Sequence, residues 1–248
     1  GKTKLNAYQE DDNSSLPCPQ GEGPSISSPQ NPVSNNPINY VSSLRKKHVK
    51  NIFIGHLNIN SLRNKFESIE FVIKDNFDIF LISETKLDAS FPNAQFGIPG
   101  YKSFRKDRNI NGGGLIFYVN QDLPCKLVAN YKFPDNLEIL LLEVNLNHSK
   151  FLIVGAYKPP SYSNDLFLNE LHNALSFYSA LYDDFVLIGD FNIPLGNKAL
   201  NDLCDSFSLK HLITEATCFK GVNQSYIDHI ITNKQFRFMK SWIGRAHV

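Results

Sequence analysis

The sequence predicts an α/β (α+β) fold of mixed β-sheets covered by helices, and three observations carry that reading. Short apolar runs rich in strand formers alternate with segments whose apolar residues recur at helical spacing. Some of these runs follow one another as pairs with no helix between them, which argues against a purely parallel wound sheet. At 248 residues the chain is long enough to close a substantial core.

Taken in order, Asn51 to Asn58 reads as the first strand. Ser61 is a candidate N-cap for a helix that carries Leu62, Phe66, Ile69, Val72 and Ile73 on one face. Asp78 to Ser83 is the next strand. Gly112-Gly113-Gly114 is expected to form a mobile turn before a strand through Val119, because it lacks the Lys-Ser/Thr and the following helix of a phosphate-binding loop. Leu137 to Val144 and Phe151 to Tyr157 read as two strands joined by a polar turn around Asn147. A second amphipathic helix carries Leu166, Phe167, Leu171, Ala174, Leu175 and Tyr178. Strand Phe185 to Gly189, a helix near Leu200 to Phe207 and strand Tyr226 to Thr232 complete the order. No internal repeat is present.

Residues 1–47 read as a disordered arm rich in Pro, Ser and Asn. Pro17, Pro19, Pro24, Pro29, Pro32 and Pro37 interrupt any helix, and large apolar side chains are too few for a core. Residues 48–248 are the expected folded domain. The basic run Arg45-Lys46-Lys47-His48-Val49-Lys50 between them reads first as a solvated charge cluster and second as a phosphate contact. Lys and Arg total 25 against 24 acids, so net charge gives no sign of nucleic-acid binding and any such site must be local. Cys18, Cys125, Cys204 and Cys218 are scattered without metal-finger spacing, as expected of reduced thiols. The chain opens with Gly1 and has neither a signal segment nor an apolar run of membrane-spanning length. It is therefore expected to be a piece of a longer, soluble, intracellular polypeptide with no membrane partner.

Four places put an oxygen-bearing residue at or near the end of an apolar strand: Asn58, Glu84, the Asp190/Asn192 pair and Asp228. Alternation along a strand puts Asp190 and Asn192 on one face, directed into one cleft if the extended geometry persists. Hard oxygen donors of this kind suit magnesium, which takes one or two carboxylates and completes its octahedron with water and substrate phosphate. Each residue alone reads more readily as a turn or cap residue. Their co-occurrence is what favours a site.

In this order and these contexts the motifs Leu57-Asn58-Ile59-Asn60, Ser83-Glu84-Thr85, Tyr157-Lys158-Pro159-Pro160, Gly189-Asp190-Phe191-Asn192 and Ser225-Tyr226-Ile227-Asp228-His229 resemble the endonuclease/exonuclease/phosphatase superfamily. Within it they resemble the endonuclease domains of non-LTR (LINE-type) retrotransposons, over about Asn51 to Met239. The resemblance implies a four-layered α/β sandwich, two mixed β-sheets packed face to face with flanking helices. It also implies magnesium-dependent nicking of DNA, with Mn2+ able to replace Mg2+, to leave a 3′ hydroxyl that primes reverse transcription. Glu84 matches the principal metal-binding glutamate and Asn58 its assistant. Asp190 matches the aspartate that orients or activates the attacking water, and Asn192 the amide that steadies the scissile phosphate. Tyr157 matches a tyrosine beside that phosphate, and Asp228 a supporting or metal-side carboxylate. Thr217 matches a position beside the DNA. The implied partners are DNA, a downstream reverse transcriptase domain and the element RNA, and the implied place of action is the nucleus.

The same resemblance implies a Ser-Asp-His shortly after Ser241, where the chain instead reads Trp242-Ile243-Gly244-Arg245-Ala246-His247-Val248. A C-terminally incomplete domain, weak or inactive as a nuclease, is the resulting expectation. His229 should face away from Asp228, as packing or support, and His56 should share a face with Asn58 at the cleft border. Arg105, Lys106 and Arg108, in the basic and aromatic segment Lys102 to Arg108, are the DNA-contact candidates of an expected surface loop. The rival readings are another phosphodiesterase or phosphatase of the superfamily and a non-catalytic DNA-binding remnant.

Overall fold

The computed structural model describes residues 37–146, 149–213, 218–220, 223–225 and 227–238. Its elements run α1 (Pro37–Lys47), β1 (Ile54–Asn58), α2 (Phe66–Ile73), β2 (Ile79–Ser83), β3 (Tyr101–Lys106), β4 (Leu115–Asn120), β5 (Cys125–Leu127), β6 (Glu138–Leu146), β7 (Ser149–Tyr157), α3 (Asn164–Tyr178), β8 (Asp184–Asp190), α4 (Lys198–Ser206), β9 (Lys210–His211), β10 (Cys218–Lys220), β11 (Asn223–Ser225) and β12 (Asp228–Thr232). A four-stranded sheet has the order β1-β2-β4-β3 and a six-stranded sheet the order β5-β6-β7-β8-β12-β9, while β10 and β11 pair separately. Both large sheets are mixed: β1–β2 and β7–β8 are parallel, the other pairs antiparallel.

The period-2 alternation of the strands sorts their apolar residues into separate cores. Leu81, Phe117 and Val119 of the first sheet meet Leu142, Ile153, Val186 and Ile188 of the second. On the outer face of the first sheet, Phe80, Ile82, Ile116 and Tyr118 pack on Ile69 and Ile73 of α2. On the outer face of the second, Leu141, Leu152, Val154 and Leu187 pack on Phe167, Leu171 and Leu175 of α3 and on Leu200 and Leu203 of α4. This is the expected four-layered sandwich. Gly155 sets the closeness of the two sheets, since a Cβ there would stand 2.5 Å from Phe117 Cζ and 3.2 Å from Leu81 Cδ1.

The topology brings one end of every central strand to one place. β1, β2, β7 and β8 finish there, and the antiparallel β4, β6 and β12 begin there. Asn58 pairs with Ser83, Tyr157 with Asp190 and with Glu138, and Asp190 with Asp228. Side chains far apart in sequence therefore share one mouth.

Several expectations need correction. Residues 37–47, assigned to the disordered arm, form α1, and residues 1–36 lie outside the described residues. Arg45 grips Asp78 bidentately at 2.6 and 2.8 Å and donates to Asn51 O at 3.0 Å, while Ser42 donates to Asn76 at 2.7 Å. Tertiary pairing overrides the polar composition of the segment, and Arg45 is a structural cation rather than a solvated charge. Ser61 does not cap α2, which starts at Phe66 with Lys65 before it and no side-chain cap bond; Ser61 sits at φ +90° in the preceding loop. The segment from Tyr101 to Lys106 is strand β3 at a sheet edge and not a loop. Gly112-Gly113-Gly114 is a held turn and not a mobile one, because Thr85 N and Lys86 N donate to the carbonyls of Gly114 and Gly113 at 3.3 and 2.8 Å. The turn around Asn147 lies outside the described residues.

Candidate active site

Asn58 leaves β1, Glu84 follows β2, Tyr157 closes β7 and Asp190 closes β8, so two sheets contribute to one polar cluster. The Asn58 side-chain amide joins them. Its Nδ2 donates to Glu84 Oε1 at 2.8 Å and to Asp190 Oδ2 at 2.9 Å, while its Oδ1 accepts from Asn60 N at 3.1 Å. Tyr157 donates its hydroxyl to the same Glu84 Oε1 at 3.1 Å. The first sheet's carboxylate and the second sheet's carboxylate are thus held by one small amide.

The backbone that carries these groups is held in costly conformations. Asn60, Ser61, Glu84, Lys86 and Asn192 are five of the seven non-glycine residues with positive φ among the described residues. Such conformations cost about 1–3 kcal/mol each and persist only where the surroundings impose them. Here the surroundings are visible: Ile59 N donates to Ser83 O, Ser61 N to Glu84 O and Leu62 N to Thr85 O, at 2.8–3.1 Å, zipping the two exit loops together. Lys86 Nζ reaches Asn60 Oδ1 at 2.5 Å. Asn192 N donates to Asp190 Oδ1 at 3.0 Å, and Asn192 Nδ2 to Lys158 O at 2.9 Å.

Electrostatics mark Asp190. It is 3% exposed, and burial followed by the nearby charge of Asp228 raises its carboxyl from 3.8 to about 6, against the opposing pull of Asn58, His56 and Asn192. Burial and the Glu84 charge likewise push the Tyr157 phenol up. Asp228 faces His56, whose Nδ1 lies 3.4 Å from Asp228 Oδ1 and whose Nε2 lies 3.0 Å from Ser83 Oγ. Burial lowers His56 to about 4, so it is neutral at pH 7. His229 points to the other face, as alternation requires, and its Nε2 donates to Ile193 O at 2.8 Å.

The donor set suits a hard divalent cation. Two carboxylates converge within hydrogen-bond reach of one NH2 group, Asp190 resists ionising, and among the described residues no Lys or Arg pairs with Glu84 or Asp190. A magnesium ion needs only one or two such carboxylates. Among the described residues no group of three or more His, Cys, Asp or Glu side chains forms a ready-made metal cage.

The basic candidates fare differently. Arg105 is committed to the fold: its guanidinium donates to Asp107 Oδ2, Phe91 O and Asn93 Oδ1 at 2.7–2.9 Å, and its side chain is 8% exposed. The expectation of a DNA-contact role for Arg105 is therefore corrected, because its charge is already neutralised in a strand. Lys106 and Arg108 lie beside Glu138, Arg108 as an ion pair at 2.9 Å. Thr217 lies outside the described residues, as does His247.

Sequence reasoning missed Glu138, a carboxylate 2% exposed at the start of β6. Burial raises its pKa, opposed by the Gly114 N–H, Arg108 and Lys106. Its only signal in sequence is an acid heading an otherwise apolar run, which also reads as an ordinary strand boundary.

A family model described as "Endonuclease/Exonuclease/phosphatase family" matches residues 55–248. No curated protein matches the chain. Among solved structures, a 3′ phosphatase from Neisseria bound to product DNA hairpin shares 16% identity, with a TM-score of 0.56 over 75% of this chain and 88% of that one. An AP endonuclease from Archaeoglobus fulgidus also shares 16% identity, with a TM-score of 0.54 over 75% and 88%. The endonuclease domain of TRAS1, a telomere-specific non-LTR retrotransposon, shares 14% identity, with a TM-score of 0.53 over 73% and 84%. At these identities the likeness is one of fold.

Proposed function

Because the chain belongs to the Endonuclease/Exonuclease/phosphatase family, we propose that it is a magnesium-dependent endonuclease that nicks DNA, as the endonuclease domain of a non-LTR retrotransposon polyprotein. The observation that carries this reading is the Asn58 bridge between Glu84 and Asp190, which gathers hard oxygen donors from both sheets at one mouth.

In this reading Glu84 holds the ion, with Asn58 assisting by steadying the Glu84 and Asp190 carboxylates. Asp190 orients the attacking water and takes its proton, as a carboxylate raised to about 6 is suited to do near neutral pH. Bound magnesium would supply charge neutralisation at the phosphate oxygens. Asn192 hydrogen-bonds the scissile phosphate, and Tyr157 does so when its hydroxyl turns from Glu84. Burial first and the Asp228 charge second hold Asp190 at its raised value, against the pull of His56. Lys106 and Arg108 contribute phosphate contacts at the rim, the sequence-independent and salt-sensitive part of DNA affinity. A reverse transcriptase domain and element RNA are the proposed partners, the nucleus the place of action.

The test is nicking of supercoiled plasmid with magnesium, set beside abasic DNA and 3′-phosphorylated DNA. Wild type should nick the plasmid weakly, and Glu84→Gln, which keeps the acceptor for Tyr157 and Asn58 but removes the charge, should lose what activity there is, by on the order of 10³-fold or more. Preference for the abasic or the 3′-phosphorylated substrate would move the chain to the activities named for its structural neighbours. Intact plasmid with salt-dependent binding would leave a DNA-binding remnant.

A further inference from the structure

Glu138 has no part in the chemistry above and Arg108 only a contact at its rim, yet both are built into its supports. A buried carboxylate is expensive, and one paired at a strand start invites the question of what it holds. One Glu138 oxygen accepts from the Gly114 N–H; the other lies 2.9 Å from Arg108 Nη1, an ion pair outside good hydrogen-bond alignment. Arg108 also donates from Nε to Gly112 O at 2.9 Å, and its guanidinium stands 5.9 Å from the centre of the Tyr157 ring. The Gly112–Gly114 turn is therefore clamped from both sides.

That turn is what holds the segment after Glu84. Gly114 O and Gly113 O accept from Thr85 N and Lys86 N, and Glu84 and Lys86 sit at φ +55° and +53°. The glycines are required by contact as well as by their φ of +68° and +94°: a Cβ on Gly113 would stand 2.5 Å from Arg108 Cζ, and one on Gly114 would overlap Thr85 Oγ1. Glu138 is also the direct cross-strand partner of Tyr157, the other group hydrogen-bonded to Glu84.

We propose that Glu138, with Arg108, is a positioning residue that locks the Gly113-Gly114 turn against Thr85-Lys86 and so fixes the Glu84 carboxylate in its ion-holding place. The inference rests on the reading of Glu84 as an ion ligand, but its first readout does not need the ion. In Glu138→Ala the amides of Thr85 and Lys86 should exchange with solvent at least about 10-fold faster, relative to the amides of Leu81 and Ile82 in the same sheet, than in wild type. Magnesium and manganese affinity by calorimetry should fall about 10–100-fold, as for other groups that orient a metal ligand. Glu138→Gln, which keeps an acceptor for Gly114 N–H, should recover most of both effects. Arg108→Met is the independent loss variant, and it stands in for the alanine variant if that fails to fold.

Uniform acceleration of all four amides, or wild-type cation affinity in Glu138→Ala and Arg108→Met, would make Glu138 a plain stability element and overturn the proposal. Failure of the parent reading looks different: Glu84→Gln would then bind the cation as wild type does. With Glu84→Gln non-binding and Glu138→Ala unchanged, only the positioning role falls.

Discussion

Replacing Asp190 by Asn gives a stability change whose pH dependence can be worked from the site. The native carboxyl has its pKa raised from 3.8 to about 6, by burial first and the Asp228 charge second. A raised carboxyl favours the protonated native state, so its contribution is fully present below about pH 4, declines as pH rises toward 6 and is flat above. A shift of roughly two units amounts to about 3 kcal/mol lost in all, of which about 1.4 kcal/mol falls between pH 5 and pH 7.5. Asn cannot ionise and escapes that loss. The substitution also weakens one of the two bonds accepted from Asn58 Nδ2 and Asn192 N, but that cost is the same at both pH values. Urea denaturation in EDTA at pH 5 and 7.5 should therefore show Asp190→Asn gaining about 1.4 kcal/mol on wild type as pH rises. A difference constant within about 0.3 kcal/mol, or one that moves the other way, would refute the placement of Asp190 in a buried, negatively charged setting.

Three other outcomes follow from particular contacts. His229 is 2% exposed and held to about 4 chiefly by burial, so the native state is penalised as pH falls below 6.5; between pH 7 and 5 wild type should lose about 2 kcal/mol that His229→Gln retains, measured by the same denaturation. Arg45→Met leaves the Asp78 carboxylate, 6% exposed, without its bidentate partner and should cost about 2 kcal/mol; a cost under about 0.5 would show α1 to be dispensable. Gly155→Ala forces a methyl into the Phe117 ring and should cost about 1–3 kcal/mol in thermal melts, with a matching loss of nicking because Asn58 and Asp190 lie on opposite sheets; an unchanged melting temperature would contradict the close sheet packing.

The parts legible in the sequence are those set by strand periodicity. Asn58, Glu84, Asp190 and Asp228 stand out because each punctuates an apolar run, and the mixed topology then gathers the strand ends. β3 was hidden because its residues split between surfaces: Tyr101 turns outward to donate to Ile73 O and Phe77 O, Phe104 joins the inter-sheet core, and Lys102 is exposed. Neither face of that edge strand is uniformly apolar, so no period-2 signal survives. α1 was hidden because its order depends on Asp78 and Asn76, some thirty residues away, and local composition carries no trace of such pairing. Glu138 was hidden for the related reason that burial of an acid depends on partners from β4's leading turn.

The central claim is that Glu84, Asn58 and Asp190 surround one divalent ion at the shared mouth of two sheets. Anomalous diffraction from crystals soaked in manganese tests it most directly. The expected map has one dominant peak in contact with the Glu84 carboxylate and within reach of Asp190, absent from Glu84→Gln crystals. A dominant peak elsewhere on the molecule, or one that survives Glu84→Gln unchanged, would contradict the account.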